Sequence, residues 1–270
     1  YNYCDVYGSP VKSFPYYIAT GYHRLKSTCK TTYQSSDSIV EKSVFAYDTE
    51  RPYNIISKSS LCSGGAEQVE RTYYSNNTIP DKESLTTSQR SAIQLLTSRN
   101  YLTTPVQQTM EKKDKRLYSV LRGYSSSLSS GMVVEDQYYC KGTDKYEKRI
   151  SYNKYDIYGN PVYINKDDAE KVVYLWGYKG QYLLAEIKGA TYEEVKKALM
   201  VDPASMSSCI LPSIPLYLDM IDNLYKALPS ALITSYTYHP LIGASGIISP
   251  NKAKTTFEYN SDSQLIRIKD

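Results

Sequence analysis

Histidine is almost missing from this 270-residue chain: His23 and His239 are the only two, and they lie far apart. Neither has a metal-type neighbour, so no zinc or other metal centre is expected. A serine or cysteine nucleophile needs a base beside it, and only those two imidazoles are on offer. No G-x-S-x-G, H-E-x-x-H or P-loop stands anywhere in the sequence. The five cysteines, Cys4, Cys29, Cys62, Cys140 and Cys209, are widely spaced and form no C-x-x-C, which excludes a zinc ribbon or thioredoxin-type motif. Their odd number leaves at least one thiol free, and isolated buried thiols are the reading adopted. No run approaches the ~20 apolar residues of a membrane span. The net charge of +4 is small, and the densest charged cluster, 111–116, mixes both signs. That pattern fits a solvated loop and not a nucleic-acid surface, which needs clustered cations.

Phenylalanine and tryptophan are scarce too, at 3 and 1, whereas tyrosine reaches 30. Many of the tyrosines recur in similar settings. Tyr155-Asp156-Ile157-Tyr158-Gly159-Asn160-Pro161-Val162 lies over Trp176-Gly177-Tyr178-Lys179-Gly180-Gln181-Tyr182-Leu183 after a shift of 21 positions. A second offset, of 83, carries 172–187 onto 255–270, and the 21-residue step recurs from Tyr238 to Tyr259 when one residue near Gly243 counts as inserted. Cys4-Asp5-Val6-Tyr7-Gly8-Ser9-Pro10-Val11 matches 155–162 at five positions, and Tyr47-Asp48 starts a degenerate copy. Fixed periods of this size imply units that lean on their neighbours. Residues 148–156 and 162–166 alternate in character as strands with one buried face do, with turn residues between them. Each unit therefore reads as two strands and two turns. Tyrosine suits such a sheet because its ring packs while its hydroxyl reaches water or a carbonyl.

The segments Tyr155-Asp156-x-x-Gly159, Trp176-Gly177-Tyr178-x-Gly180-Gln181-Tyr182 and Tyr259-x-x-x-x-Gln264-Leu265-Ile266-x-Ile268-Lys269-Asp270 resemble YD repeats. The chain is similar in this to the Rhs/YD-repeat family of large bacterial secreted and surface proteins, well over 150–270 and weakly over 1–150. Ser249-Pro250-Asn251-Lys252 and Ser263 depart from the family's turn pattern, which marks degenerate repeats. The resemblance implies long β-sheets wound into shells or filaments, some of which enclose a toxin, and a secreted or cell-envelope location. No segment here matches the aspartate-based self-cleavage element of some members. Tyr1 opens directly on a repeat-like segment, so the chain reads as a piece whose first partner is the remainder of a longer polypeptide.

The expected fold is mainly β: an antiparallel sheet of ~21-residue YD-type repeats with a short helical insert. Residues 1–132 form a β-rich region with degenerate repeats and a short helix near 80–96, started around Pro80-Asp81. Residues 133–270 form the repeat sheet, interrupted by a helical insert at 191–228. Thr191 caps the first helix of that insert, with Glu194 completing a capping box and Val195, Ala198 and Leu199 as its apolar face. A second helix spans 216–227. The insert packs on the sheet as a plug or serves as a docking element. Long exposed edges invite aggregation, so either an end strand pairs with a second copy or the insert covers an edge.

Asp167-Asp168 and Asp262 fall in predicted turns. Paired carboxylates also suit a glycosidase or a calcium site, but turn chemistry accounts for them here. The chain is thus expected to be a non-catalytic structural segment, without cofactor, forming part of a shell or scaffold. The alternative is an adhesin-like module that holds a glycan or protein partner on Tyr174, Trp176, Tyr178 and Tyr182. Exposure of Tyr174, Trp176 and Tyr178 would favour binding, and burial the scaffold.

Overall fold

The computed structural model describes residues 23–34, 37–51, 53–61, 65–127, 131–167, 169–208 and 214–270. The repeat-like segment at 1–11 and Cys62, Asp168 and Cys209 lie outside the described residues.

Fifteen strands follow one another in a single antiparallel sheet, each paired with its sequence neighbours. They are β1 (Ser27–Gln34), β2 (Asp37–Tyr47), β3 (Ile55–Leu61), β4 (Glu67–Tyr74), β5 (Pro105–Lys112), β6 (Lys115–Ser127), β7 (Gly131–Lys141) and β8 (Glu147–Tyr155). They continue as β9 (Pro161–Lys166), β10 (Glu170–Gly177), β11 (Tyr182–Lys188), β12 (Leu232–His239), β13 (Gly243–Ile248), β14 (Lys254–Tyr259) and β15 (Leu265–Lys269). Strand β7 runs through position 132/133, where the sequence analysis divides the chain. The mixed-charge cluster at 111–116 is the β5–β6 hairpin, turned by Lys113 and Asp114, both at positive φ as a two-residue hairpin turn requires.

Three helices complete the described residues: α1 (Thr87–Ser98), α2 (Tyr192–Leu199) and α3 (Ile214–Ala227). Helix α2 starts where expected, with Thr191 and Glu194 satisfying each other's backbone amides. Helix α1 does not. Thr86 and Gln89 form its capping box, and Lys82–Ser84 is a separate 3-10 turn. Asp81 is held out of the helix because its carboxylate accepts bonds from Arg116 of β6 at 2.6 Å and from Tyr146, in the β7–β8 connection, at 2.9 Å.

All three helices lie on one face of the sheet. Gly123, Asp136, Ser151, Asn165 and Lys171 stand opposite one another across β6 to β10, so they share a side. Gln89 of α1 sits over Gly123, where a Cβ would lie 2.4 Å from its amide carbon. Two residues beyond Lys171, Val173 faces the same side, aligned with Ile187 and Ile233 under α2 and α3. The insert therefore covers the face of interior strands β9–β12 and no edge. The insert thus packs on the sheet as a plug, and of the two expected remedies for the edges it does not supply edge cover: its apolar groups Val195, Ile221 and Leu224 match the aliphatic row of β10–β12, and an edge offers backbone polar groups instead.

Two cores result. Val195, Met206, Tyr217, Ile221 and Leu224 pack on Val173, Leu175, Ala185, Ile187 and Ile233. Ile79, Leu85, Ala92, Ile93 and Leu96 pack on Val106, Leu121 and Tyr124. Of the described cysteines, Cys140 is buried as expected but Cys29 is exposed on β1, and both are free.

Candidate functional site

The most organised feature of the molecule is a chain of aromatic hydrogen bonds that crosses the whole sheet. Every even-numbered strand ends in, or carries near its end, an aromatic residue whose ring donor bonds a main-chain carbonyl on the preceding hairpin. The pairs are Tyr47 to Leu25, Tyr74 to Ile55, Tyr124 to Pro105, Tyr155 to Val134, Trp176 to Pro161, Tyr238 to Leu183 and Tyr259 to Ala244, at 2.5 to 3.0 Å. Trp176 stands in a tyrosine's place and donates through Nε1.

The same aromatic marks a register break. Pairing with the following strand shifts immediately before Tyr47, Tyr74, Tyr124, Tyr155, Trp176, Tyr238 and Tyr259. The extra residue is Ile56, Val106, Glu135, Val162, Leu184, Ser245 or Ile266 in turn. Each is a β-bulge, which bends the strand and increases its twist. After the bulge, each aromatic stands opposite Ile55, Pro105, Val134, Pro161, Leu183, Ala244 or Leu265. Those residues, from Ile55 to Ala244, are the ones whose carbonyls accept the next aromatic. The bonds thus form a relay, each step seated on the previous one.

The turns after the aromatics repeat as well. Asp156 is buried and accepts bonds from the amides of Tyr158 (2.9 Å) and Asn160 (2.8 Å), while its own amide bonds the Asn160 carbonyl. Asn260 does the same with Asp262 and Gln264. Asp48 accepts from Glu50 and Arg51, with the Asn54 carbonyl taking its amide. The Arg51 amide, then Asn77 and Glu50, hold the Asp48 carboxyl below the usual carboxylate range against the opposing effect of its burial. Gly159 (φ 86°) and Ser263 (φ 62°) occupy the same left-handed position, natural for the glycine and costly for the serine. Gly243 lets Tyr259 through: a Cβ there would lie 2.6 Å from the tyrosine oxygen. Burial pushes the hydroxyls of Tyr124 and Tyr238 up to about 12 and raises that of Tyr155 further still.

The structure scatters the four candidate binding residues over two settings, all half-buried. Tyr174 and Trp176 face away from the helices. Burial, then the Glu186 carboxylate, pushes Tyr174 up to about 12. Tyr178 and Tyr182 sit at the β10–β11 hairpin, where Tyr178 takes φ 53° and leaves the strand alternation to pack against the α2–α3 core. Their rings meet edge to face at 5.1 Å, and Tyr182 packs on Tyr238 at 4.6 Å. The helix-free face carries further tyrosines at 118, 139, 152 and 236; Tyr118 and Tyr139 stack at 6.0 Å.

Asp167, at positive φ in the β9–β10 turn, pairs with Arg149 at 2.9 Å. A cleft of about 500 Å³ beside the Asp48 turn is lined by Glu50, Arg71, Tyr73 and Asn76, and one of about 540 Å³ beside α1 includes the Glu83–Arg90 pair. Among the described residues no three His, Cys, Asp or Glu side chains gather as a metal site, and no helix is long and apolar enough to cross a membrane. His239 is exposed at the end of β12, in the turn expected there, edge-on to the Tyr259 ring.

The repeat offsets mark the positions of Tyr155, Trp176, Tyr238 and Tyr259, and Tyr47-Asp48 as the start of a degenerate copy, but not the bonds these aromatics make. Tyr74 and Tyr124 carry no such mark. The faint signal at Tyr74 is the polar turn Tyr74-Ser75-Asn76-Asn77 in the right place.

No family model matches the chain, and no curated protein matches it. Among solved structures it is similar to the crystal structure of TcdB2-TccC3 without its hypervariable C-terminal region, at 11% identity and a TM-score of 0.35. That match covers 91% of this chain and 11% of the other.

Proposed function

We propose that this chain is a non-catalytic structural segment of a bacterial secreted or surface YD-repeat protein, in which it forms part of a β-shell or scaffold. The relay carries the reading. Seven aromatic-to-carbonyl bonds, each at a bulge, tie every hairpin to the one before it. Such a design serves continuity of a wall: each unit is seated by its neighbour, and bulges supply curvature. The donors of the relay are directed to backbone carbonyls. The remainder of a longer chain is its natural partner.

A second reading, an adhesin-like module for a glycan or protein, draws support from the tyrosines at 118, 139, 152, 174 and 236 on the face no helix covers. One set of measurements separates the two. Native-state hydrogen exchange, a hydrolase panel and a glycan array are run on the same protein. The scaffold reading expects continuous protection from β2 to β14, no turnover and no glycan signal. Turnover lost on Asp167→Asn, or saturable glycan binding lost on Tyr174→Ala, would overturn it.

A further inference from the structure

Three neighbouring turns at one end of the sheet present apolar side chains to solvent. They close the hairpins β8–β9, β10–β11 and β12–β13, which turn at the same end because each follows an even-numbered strand. Strands lie about 4.8 Å apart, so successive turns stand roughly 10 Å from one another. Ile157 and Tyr158 on the first turn are 55 and 46% exposed, and Leu241 and Ile242 on the third are 95 and 43% exposed. Tyr178 and Tyr182 lie between them, half-buried.

These turns are fixed to one another. The Asn160 side-chain amide donates to the Gly180 carbonyl at 2.8 Å, and Tyr158 packs so closely on Gly180 that a Cβ there would lie 2.8 Å from its ring. The Ser207 carbonyl, in the 3-10 turn Pro203–Ser208, accepts the Gly180 amide at 3.1 Å and backs the middle turn. The Leu241 amide donates to the Tyr182 hydroxyl at 3.2 Å. Leu241 takes φ 68° at the third place of a β-turn, which the Ile242 amide closes on the His239 carbonyl at 3.0 Å. With positive φ that place ordinarily takes glycine or asparagine. A leucine held there with its side chain in water is a backbone outlier that brings the fold no burial, and such outliers point to a role outside the fold.

The charges select the occupant. Residues 155–160, 178–182 and 239–242 hold one carboxylate, the buried Asp156, and one formal cation, the exposed Lys179. Other turns at that end differ: β2–β3 exposes Glu50 and β14–β15 exposes Asp262. Closed turns offer no unpaired main chain to an added strand, and a projecting row is not the concave pocket that a small ligand requires. Aliphatic tips flanked by tyrosines and a lysine match the interface of a bilayer, where aromatic rings settle at the headgroups and cations meet anionic lipid. We propose that these three turns form a lipid-contact site, in which Leu241, Ile242 and Ile157 enter the surface of an anionic bilayer and Lys179 meets its headgroups. The contact is peripheral and goes beyond the scaffold reading.

The test is flotation of the whole chain with phosphatidylcholine vesicles, with and without phosphatidylserine, and hydrogen exchange on the bound protein. The expected result is binding stronger on the phosphatidylserine vesicles by about five-fold, the contribution of one lysine. New protection is confined to the three turns. Leu241→Gly weakens binding by roughly ten- to a hundred-fold, the loss of one buried leucine, without lowering the thermal midpoint, because glycine suits the positive φ. Ile39→Ser, which removes a 59% exposed aliphatic side chain from β2, leaves the affinity unchanged. No flotation, equal binding to both vesicles, protection elsewhere, or equal losses in the two variants would overturn the proposal. So would self-association that Leu241→Gly abolishes, since a second copy would then cover the turns. None of these failures alters the exchange, turnover and glycan outcomes that decide the scaffold reading.

Discussion

The capped middle of the sheet and its bare ends are built to the same plan but held by different forces. Between β5 and β12 the helices bury Val106, Leu121, Val173, Leu175, Ile187 and Ile233, while every residue of β15 is exposed. Yet Tyr259 makes the same bond, beside the same bulge and before the same turn, as Tyr155. The relay therefore does not depend on a core. It is specified within each unit by an aromatic, one extra residue and a polar turn, whereas burial is contributed by two inserts that interrupt the repeat. Geometry is uniform along the sheet, and stability is not.

Core truncation should break that contrast most sharply. Leu224→Ala removes a fully buried side chain from α3 and is expected to cost about 2–5 kcal/mol. Ile266→Ala, at the equivalent of a core bulge but exposed, should stay within about 0.5 kcal/mol. Urea unfolding of both variants measures the gap.

The α1 cap is latched to sheet carboxylates, whereas the α2–α3 cap is latched to main-chain carbonyls by the hydroxyls of Tyr217 and Tyr225, which donate to Leu184 and Ile233. Gln89, 1% exposed, donates to Glu135 at 2.9 Å and Asp136 at 3.0 Å and reaches them over Gly123. Gly123→Ala forces that amide aside and strands buried polar groups, at about 1–3 kcal/mol. Gly246→Ala near the bare end displaces only the Thr237 hydroxyl and meets the Thr255 carbonyl at ordinary contact distance, so the smaller loss in thermal melts is expected there.

Alkaline titration sharpens the same comparison. Burial raises Tyr124 to about 12, above the ~10 of an unfolded tyrosine. The unfolded chain loses that proton first. The contribution is thus complete below about pH 10 and declines as pH rises toward 12, by up to about 1.4 kcal/mol per pH unit. Urea midpoints between pH 9 and 12 should fall less steeply in Tyr124→Phe than in the unaltered chain.

The smallest effect is a gain. Ser263 holds φ 62° where Asp156's turn has Gly159. A side chain in the left-handed region costs roughly 1–2 kcal/mol, offset in part by glycine's entropy. Ser263→Gly should stabilise by a few tenths to about 1 kcal/mol, or slow exchange in β14 and β15 where global unfolding does not report it.

The parts legible in the sequence were those encoded within a unit. The 21- and 83-residue offsets align Tyr155, Trp176 and Tyr259, all relay donors, and the Thr191–Glu194 box needs only four residues to be recognised. What the sequence hid depends on distant partners. Tyr74 and Tyr124 are separated by the α1 insert, which destroys the period, and neither is followed by the Asp-x-x-Gly turn. Asp81 reads as a helix start because Arg116 and Tyr146, which hold it elsewhere, arrive from far along the chain. Half-burial of Tyr174 and Trp176 was equally invisible, since it is set by the register of β9 against β10.

The central claim is that an aromatic hydrogen-bond donor, and not merely a ring, is required at each step. Trp176 is the place to ask, because the other six steps use tyrosine from the same position. Replacing it by tyrosine and by phenylalanine gives two rings of equal size that differ in one hydroxyl, opposite the Pro161 carbonyl. If the relay holds the sheet together, Trp176→Tyr is more stable to urea than Trp176→Phe by about 1 kcal/mol. Equal stability of the two variants, or a more stable phenylalanine, would contradict it.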